Sequence, residues 1–278
     1  MNAGGAPKPL KDAKRVFFRL GTCSRTLCFL LDREFGHMRE DEEHALDPLA
    51  GGILRRGHQC GMLWGASLAV GAEALRRCGD PGQAVGMTIR ATRHVLESFV
   101  DRTNSPDCLE ITGCDWRKPF SVFKHMFSGK FYACFRLAEQ WAPEAIRAAR
   151  EGLALSLDGL PAQPLSCASE VAKKMGASGE EMVMVAGFAG GIGLSGRGCG
   201  ALGAAVWMKT LDRVRKKKYK SLFSDPLTEE TIRKFLDATG NTMECEKITG
   251  RRFQGVGEHT EFVRDGGCAD LIGLLARS

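Results

Sequence analysis

Cysteine is the residue type with the most chemistry to offer in this 278-residue chain, which contains eleven of them. Eight fall into two sets of four that follow the same order in the two halves of the chain. The first set is Cys23, Cys60, Cys108 and Cys134, and the second is Cys167, Cys199, Cys245 and Cys268. Four thiolates suffice for an iron–sulfur cluster or for a structural zinc ion. Each set therefore predicts one metal or cluster site.

The residues around these cysteines repeat as well. The segments from Ala50 to Gly61 and from Ala189 to Gly200 both fit AGGI-x-x-x-G-x-x-CG without a gap. Cys108 and Cys245 each begin the pattern C-x-x-ITG. Repeated patterns in the same order are the signature of an internal duplication, which we infer here.

Two histidines share the repeat, because His125 and His259 each precede a cysteine of their set by nine residues. Each could replace one cysteine as a ligand, or it could donate a hydrogen bond to a ligand sulfur and tune the site. A capping or core histidine is the alternative.

Glycine pairs stand in the turn before each CG motif, at Gly51 and Gly52 and at Gly190 and Gly191. Glycine permits positive φ angles and close backbone approach. Successive N–H groups in such a turn can form an anion-binding nest beside a helix N-terminus. Close helix packing is the competing interpretation.

The composition predicts an all-α protein. Val and Ile together number only 21, too few β-branched residues for a large sheet. We expect two tandem helical-bundle repeats, 1–150 and 151–278, packed as a pseudo-symmetric pair. The segment 142–165 begins as a helix and ends in a proline-containing linker. The expected helices are 21–35, 41–56, 60–78, 82–103, 130–138, 166–176, 178–190, 199–219, 227–238 and 260–276.

The second half resembles the C-GCAxxG-C-C family of redox-active proteins over roughly Ser166 to Leu275. The residues concerned are Cys167, Gly198-Cys199-Gly200-Ala201, Cys245 and Cys268. Ala204 stands where the family motif has its final glycine. The first half keeps that glycine but carries Met62 in place of alanine, and it resembles a diverged second copy.

The resemblance implies an α-helical fold with a cysteine-based redox or metal role. A looser resemblance is to the helical module of split-Soret cytochromes, which carry an iron–sulfur centre. The chain has no C-x-x-C-H motif, so covalently attached haem is not expected.

Two alternatives to a metal or cluster remain at this stage. In a metal-free dithiol, Cys60 or Cys199 would attack a disulfide or an oxidant, and another cysteine of the repeat would resolve the product. Both follow glycine-rich turns and would open helices, a position that lowers a thiol pKa. Alternatively, buried cysteines fill a helical core. No Ser-His-Asp pattern is evident, and the glycine-rich run 187–200 lacks the strand and acidic residue of a nucleotide-binding loop.

Charge and hydropathy limit the partners. The net charge is +6, and the one strongly basic run, Arg213 to Lys220, predicts a solvated helix end rather than a nucleic-acid site. We expect no membrane span and no signal peptide, and hence a cytoplasmic electron-transfer protein. Its redox partner stays open, and a homodimer is compatible with the sequence.

Overall fold

The computed structural model describes residues 10–127, 132–220 and 225–277. Within these residues the chain forms fifteen α-helices and no β-strand, which confirms the all-α prediction. The helices are α1 Ala13–Leu20, α2 Cys23–Phe35, α3 Glu40–His44, α4 Gly61–Cys78, α5 Pro81–Thr103, α6 Cys108–Thr112, α7 Pro119–Phe127, α8 Ala133–Leu153, α9 Cys167–Lys174, α10 Gly179–Met184, α11 Gly200–Arg215, α12 Pro226–Ala238, α13 Cys245–Thr249, α14 Val256–Arg264 and α15 Ala269–Arg277.

The two halves contain the same succession of elements. After α1, the first half runs from α2 to α8 and the second from α9 to α15. A 3₁₀ turn follows the second helix of each half, at Asp47–Leu49 and at Ala186–Phe188. The prediction of two tandem helical repeats is therefore confirmed.

Helices α4 and α11 form the centre of the molecule. All fourteen residues from Gly61 to Ala74 of α4 are buried, as are the nine from Gly200 to Met208 of α11. A helix that is apolar on every side requires neighbours all round it. The Trp64 ring occupies the space into which any side chain at Gly203 would project, so the two repeats interlock here.

The repeats share one continuous hydrophobic core. Polar contacts reinforce the junction: the Trp207 indole donates to the Glu42 carbonyl at 3.0 Å, and Arg39 pairs with Glu180 at 3.1 Å. The connection between the repeats runs from residue 154 to residue 166, because α8 continues to Leu153.

Two predicted long helices are wrong, and both errors occur beside cysteines. The helix expected over 41–56 ends at His44 and is replaced by the 3₁₀ turn and a left-handed turn, because Pro48 and the following glycines interrupt it. The helix expected over 260–276 is two helices, α14 and α15. Cys268 lies between them with a φ of 62°.

Other helix boundaries also differ from the sequence prediction. Helix α10 ends at Met184 and α11 at Arg215, both earlier than expected. The helix expected over 130–138 is the longer α8, and residues 130 and 131 lie outside the described residues. The short helices α1, α6, α7 and α13 were not predicted.

The basic run is not simply a solvated helix end. Arg213 pairs with Asp225 at 2.7 Å, and its guanidinium lies over the Tyr219 ring. Arg215 pairs with Glu42 at 2.7 Å and with Glu181 at 2.5 Å. Part of this charge is therefore neutralised at the junction of the repeats. Among the described helices, none is both long and apolar enough to cross a bilayer.

Candidate cysteine sites

All eight paired cysteines lie at or beside the start of a helix. Four of them open a helix, and these are Cys23 of α2, Cys108 of α6, Cys167 of α9 and Cys245 of α13. Cys60 and Cys199 are the N-cap residues of α4 and α11. Cys134 is the second residue of α8, and Cys268 directly precedes α15. The fold thus brings cysteines from four separate segments into each set.

The glycine after each N-cap cysteine is required by space. A Cβ atom at Gly61 would lie 2.6 Å from the Cys23 sulfur, whereas one at Gly200 would collide with the carbonyl oxygen of Phe188. The CG motif therefore packs α4 against a thiol in the first repeat and α11 against backbone in the second.

The glycine-rich segments form left-handed turns at both sites. The five residues Gly51 to Arg55 all have positive φ angles, and so do the five from Gly190 to Leu194. Ile53 and Ile192 have positive φ angles although they are β-branched, and β-branched residues rarely adopt such angles. Backbone strain of this kind persists only where the surroundings impose it and clusters at functional sites.

These turns direct backbone N–H groups at the first cysteine of each set. The Gly51 N–H bonds to the Cys23 sulfur, and the Gly190 N–H bonds to the Cys167 sulfur. A side chain at Gly52 would collide with the backbone of His58, and one at Gly191 would lie 2.7 Å from the Arg197 nitrogen.

A short antiparallel bridge connects the second and third cysteines of each set. The Cys60 N–H donates to the Pro106 carbonyl at 2.8 Å, and the Cys108 N–H donates to the His58 carbonyl at 2.7 Å. The second repeat repeats the pattern, from Cys199 to the Met243 carbonyl and from Cys245 to the Arg197 carbonyl.

The C-x-x-ITG pattern forms a single helical turn, in which the threonine and the glycine each have a structural role. The Thr112 hydroxyl donates to the Cys108 carbonyl at 2.7 Å, and Thr249 does the same to Cys245 at 2.9 Å. Gly113 ends its turn in the left-handed conformation that suits glycine.

The four cysteines of the first set border one cavity of about 230 Å³. The thiols of Cys23 and Cys60 are hydrogen-bonded to each other. This bond lowers the pKa of Cys23, and the N–H groups of Gly51 and Ser24 lower it further against the effect of burial. The same bond, followed by burial, raises the pKa of Cys60.

The remaining cysteines of both sets stay protonated on their own. Burial, and then the charge of neighbouring thiolates, raises the pKa of Cys108, Cys167 and Cys199 to about 12 in each case, with Cys199 influenced by Cys268. Burial also raises the pKa of Cys245. The prediction that Cys60 and Cys199 have lowered pKa values is wrong. The hydrogen bond with Cys23, followed by burial, raises the pKa of Cys60, and burial raises that of Cys199.

Each cysteine is influenced by members of its own set. After burial, the charges of Cys23 and Cys108 contribute most to the raised pKa of Cys134. Those of Cys199, Cys167 and Cys268 do the same for Cys245. The thiol charges that act on these two cysteines therefore come from their own repeat.

The two repeated histidines each pack against an aromatic ring. His125 meets Trp116 at 5.1 Å between ring centroids, and His259 meets Phe253 at 5.0 Å. His259 is fully buried and bonds through Nδ1 to the Leu165 carbonyl at 3.2 Å; burial lowers its pKa to about 4. His259 is thus a neutral buried side chain.

Trp116 is a site residue that sequence analysis missed. It lines the cavity, and its buried indole N–H has no hydrogen-bond partner among the described residues. Its proximity lowers the pKa of Cys108, against the larger effect of burial. Trp116 and Phe253 both lie eight residues after the third cysteine of their set. This shared spacing is the sequence pattern that could have identified Trp116.

The three unpaired cysteines differ in their surroundings. Cys114 is fully buried and lies close enough to the first set to affect Cys108 and Cys134. Cys28 lies elsewhere in the core and interacts with Asp32 at 3.7 Å. Cys78 is half-buried at the end of α4. None of the eleven cysteines, all of which are described, is in a disulfide.

The two sites approach each other at the residues that precede their N-cap cysteines. The buried Gln59 side chain donates to the Gly191 carbonyl at 2.5 Å and to the Ser195 hydroxyl at 3.0 Å. A Cβ at Gly198 would lie 3.0 Å from the Gln59 amide oxygen. One buried amide therefore links the start of α4 to the left-handed turn of the second site.

The described residues offer no ready site for a single metal ion. No three His, Cys, Asp or Glu side chains among them are grouped so that they could hold one ion together. The thiols gather at each site without forming the close group that a single zinc ion requires.

In the described residues, the fold and sites define a duplicated all-helical protein with four cysteines at or beside helix starts in each repeat. The family model described as "Putative redox-active protein (C_GCAxxG_C_C)" matches the chain twice, over residues 22–144 and 165–278. The chain belongs to this family. The two matches agree with the duplication inferred from the sequence. No curated protein and no solved structure gives a significant match.

Proposed function

We propose that the protein transfers electrons through two iron–sulfur clusters, one held by each set of four cysteines. The carrying observation is the convergence of four cysteines from four separate helix starts in each repeat. In a core made of leucine and alanine, packing alone does not require cysteine at eight equivalent helix starts. A redox role for the family supports the same reading.

The donor set suits a cluster better than a single ion. Four cysteine thiolates are the usual ligands of [2Fe–2S] and [4Fe–4S] clusters, and a cluster separates its ligand sulfurs more widely than one zinc ion does. Deprotonating four buried thiols together is unfavourable without a cation among them, as the raised pKa values of Cys167, Cys199 and Cys245 indicate. The first-set cavity, which all four cysteines border, supplies space for such a group.

The protein itself contributes hydrogen bonds to the sulfurs. When bound, such a cluster would take up one electron and release it again. The N–H groups of Gly51 and Gly190 bond to Cys23 and Cys167, and those of Ala201 and Leu202 bond to Cys199. Hydrogen bonds to sulfur stabilise negative charge there and thereby raise the reduction potential.

The contact through Gln59 supports electron passage between the two sites. Gln59 precedes Cys60, and its amide bonds to the turn whose Gly190 N–H reaches Cys167. Buried polar contacts of this kind fix the relative position of two sites.

The proposal is tested by anaerobic purification, followed by iron, sulfide and zinc assays and a visible spectrum. We expect broad visible absorption and matching iron and sulfide. Cys199→Ser should lose the iron of one site, and Cys60→Ser that of the other. The matched control is Cys78→Ser, which removes a half-buried cysteine outside both sets and should keep both.

Three results would contradict the proposal. A colourless protein with stoichiometric zinc would mean structural metal sites. A colourless, metal-free protein would favour thiol chemistry. Loss of all metal in Cys199→Ser, with a normal circular dichroism spectrum, would contradict two independent sites.

A metal-free dithiol at Cys23 and Cys60 is a second candidate, favoured by their mutual hydrogen bond. The Cys23 thiolate would attack a substrate disulfide, forming a mixed disulfide and releasing one substrate thiolate. Cys60 would then lose its proton and attack the Cys23 sulfur, releasing the second thiolate. The substrate gains two electrons, and the protein is left with a Cys23–Cys60 disulfide.

Mass spectrometry distinguishes this candidate from the first. After mild oxidation of metal-free protein, a Cys23–Cys60 disulfide should form, and Cys60→Ser should leave Cys23 as a mixed disulfide. In the second repeat we expect no such pair between Cys167 and Cys199. Absence of the Cys23–Cys60 disulfide would exclude the dithiol function.

Both candidates fit a reducing compartment, and we extend the proposal to a cytoplasmic location. In such a compartment free thiols and reduced clusters persist. Fractionation of the source cells, with the protein detected by antibody, tests this location.

A further inference from the structure

Helix α7 presents an exposed aromatic face. Phe120, Phe123, Met126 and Phe127 are 79%, 59%, 54% and 75% exposed, respectively. Phe123 and Phe127 lie on one side of the helix, with ring centroids 4.3 Å apart. Single exposed apolar residues are ordinary, but four on a nine-residue helix form a contiguous apolar surface of the kind that marks an interaction site.

The opposite face of α7 holds the helix against the first cysteine site. The Ser121 hydroxyl lies 3.8 Å from the Cys114 sulfur, and the buried His125 packs edge-on against Trp116. The aromatic face is therefore a fixed ridge on the surface. Since a helix is roughly 10 Å across, this ridge lies about one helix diameter from the thiols.

The charges beside the ridge are mainly positive. Arg117 and Lys124 are exposed. The acidic residue in this stretch, Asp115, is paired with Lys118 at 3.2 Å. A partner for this surface must therefore combine an apolar layer with negative charge.

The second repeat lacks this combination. Counting from the equivalent histidines His125 and His259, the positions of Phe123, Lys124 and Phe127 are taken by Gly257, Glu258 and Glu261. The ridge is thus specific to the first repeat, and the conserved fold of the repeats does not require it.

We propose that α7 is a membrane-contact helix that docks the protein on an anionic lipid surface. A helix with phenylalanines on one side and cations beside them lies in the lipid interface, with its apolar face inserted some 5–10 Å. The side chains stand out from the surface as a ridge, and a fluid lipid layer accepts a ridge without a preformed groove. Association of two copies through this face would oppose two sets of cations.

Phosphatidylcholine vesicles with and without 30% phosphatidylglycerol test the proposal by co-sedimentation. We expect binding to the anionic vesicles at low salt, with at least tenfold weaker binding to neutral vesicles and a marked loss at high salt. Phe123→Ser combined with Phe127→Ser should weaken binding at least tenfold. Lys124→Glu, which installs the residue type found in the second repeat, should weaken it severalfold.

Matched controls separate docking from misfolding. Glu261→Ser changes the exposed position equivalent to Phe127 and should leave binding unchanged. The variants should keep the wild-type circular dichroism spectrum, because exposed substitutions away from special features cost little stability.

The proposal fails if wild-type protein does not bind anionic vesicles, or if the double serine variant binds as tightly as wild type. Analytical ultracentrifugation identifies the competing occupant. A dimer that dissociates in the double variant, with no vesicle binding, would assign the ridge to a second copy of the chain. These outcomes are independent of whether the cysteines hold clusters, since the assay measures lipid binding alone.

Discussion

The two cysteine sites have the same backbone and different linings. Both use helix starts, a left-handed turn and a short antiparallel bridge to position their thiols. The lining residues Asp47, Arg55 and Trp116 of the first site, however, correspond to Ala186, Leu194 and Phe253 of the second. The duplication has preserved the parts that position sulfur, while the groups that tune it have diverged.

The two sites also differ in the hydrogen bonds and pKa values of their cysteines. The first site holds a Cys23–Cys60 thiol pair, and Cys23 has a lowered pKa. In the second, burial raises the pKa of the equivalent residues Cys167 and Cys199 to about 12. We infer that the first site is the more reactive of the two, and the following predictions test that contrast.

We expect the two sites to differ most when the glycine after each N-cap cysteine is replaced by alanine. In Gly200→Ala the added methyl group would overlap the carbonyl oxygen of Phe188. Because this oxygen belongs to the backbone and cannot easily move away, we expect the unfolding free energy to fall by about 3 kcal/mol or more. Gly61→Ala meets the Cys23 sulfur at 2.6 Å. It should cost less, about 1–3 kcal/mol, but disturb the thiol pair. Urea unfolding and thiol alkylation measure the two effects.

Gly179→Ala is the control for this pair of substitutions. No atom lies within 4 Å of a Cβ at Gly179, and the position is helical. Its unfolding free energy should equal or slightly exceed that of wild type. Equal losses in both CG variants, with unchanged Cys23 alkylation, would show that the two motifs serve packing alone.

An intermediate effect is expected from the buried His259. Its pKa is about 4 in the folded protein, and about 6.5 in an unfolded chain. Between these values the unfolded state binds more protons, so stability should fall as pH falls from 6.5 toward 4. The loss between pH 7 and pH 5 is on the order of 1–2 kcal/mol.

His259→Asn isolates this contribution, because an asparagine amide can still donate to the Leu165 carbonyl without titrating. Its unfolding free energy should change less between pH 7 and pH 5 than that of wild type, as measured by urea unfolding at both pH values. An identical pH dependence in the two proteins would show that His259 is already protonated or solvated at neutral pH.

Much of the helical architecture could be predicted from sequence because helix signals are local. The long helices α4 and α5 agree with the expected 60–78 and 82–103, since caps and apolar runs mark them. The short helices α6 and α13 were missed because one-turn helices have no periodic signal. The left-handed turn at Gly51 to Arg55 replaced a predicted helix, because long-range packing imposes it on residues such as Ile53.

The cysteine sets were recognisable as repeats, but their linings were not. Cys114 has no equivalent cysteine in the second repeat, yet it lies beside the first set. Trp116 and Gln59 act through contacts with distant segments, Gln59 with residues more than 130 positions away. Such long-range contacts leave no pattern along one chain.

The smallest effect is expected from Trp116→Phe, which gives the first site the aromatic residue of the second. The ring can still pack against His125, but the indole N–H that would donate to a Cys108 thiolate is lost. One such hydrogen bond is worth about 1 kcal/mol, which for a one-electron centre corresponds to about 40 mV. In metal-loaded protein we expect the midpoint potential of the first site to fall by this amount, while that of the second stays constant.

Phe253→Tyr is the control, because it alters the second site without touching the first. An unchanged first potential in Trp116→Phe would mean that the indole only fills space, and the difference between the sites would then have to come from the other lining residues that differ, Asp47 and Arg55.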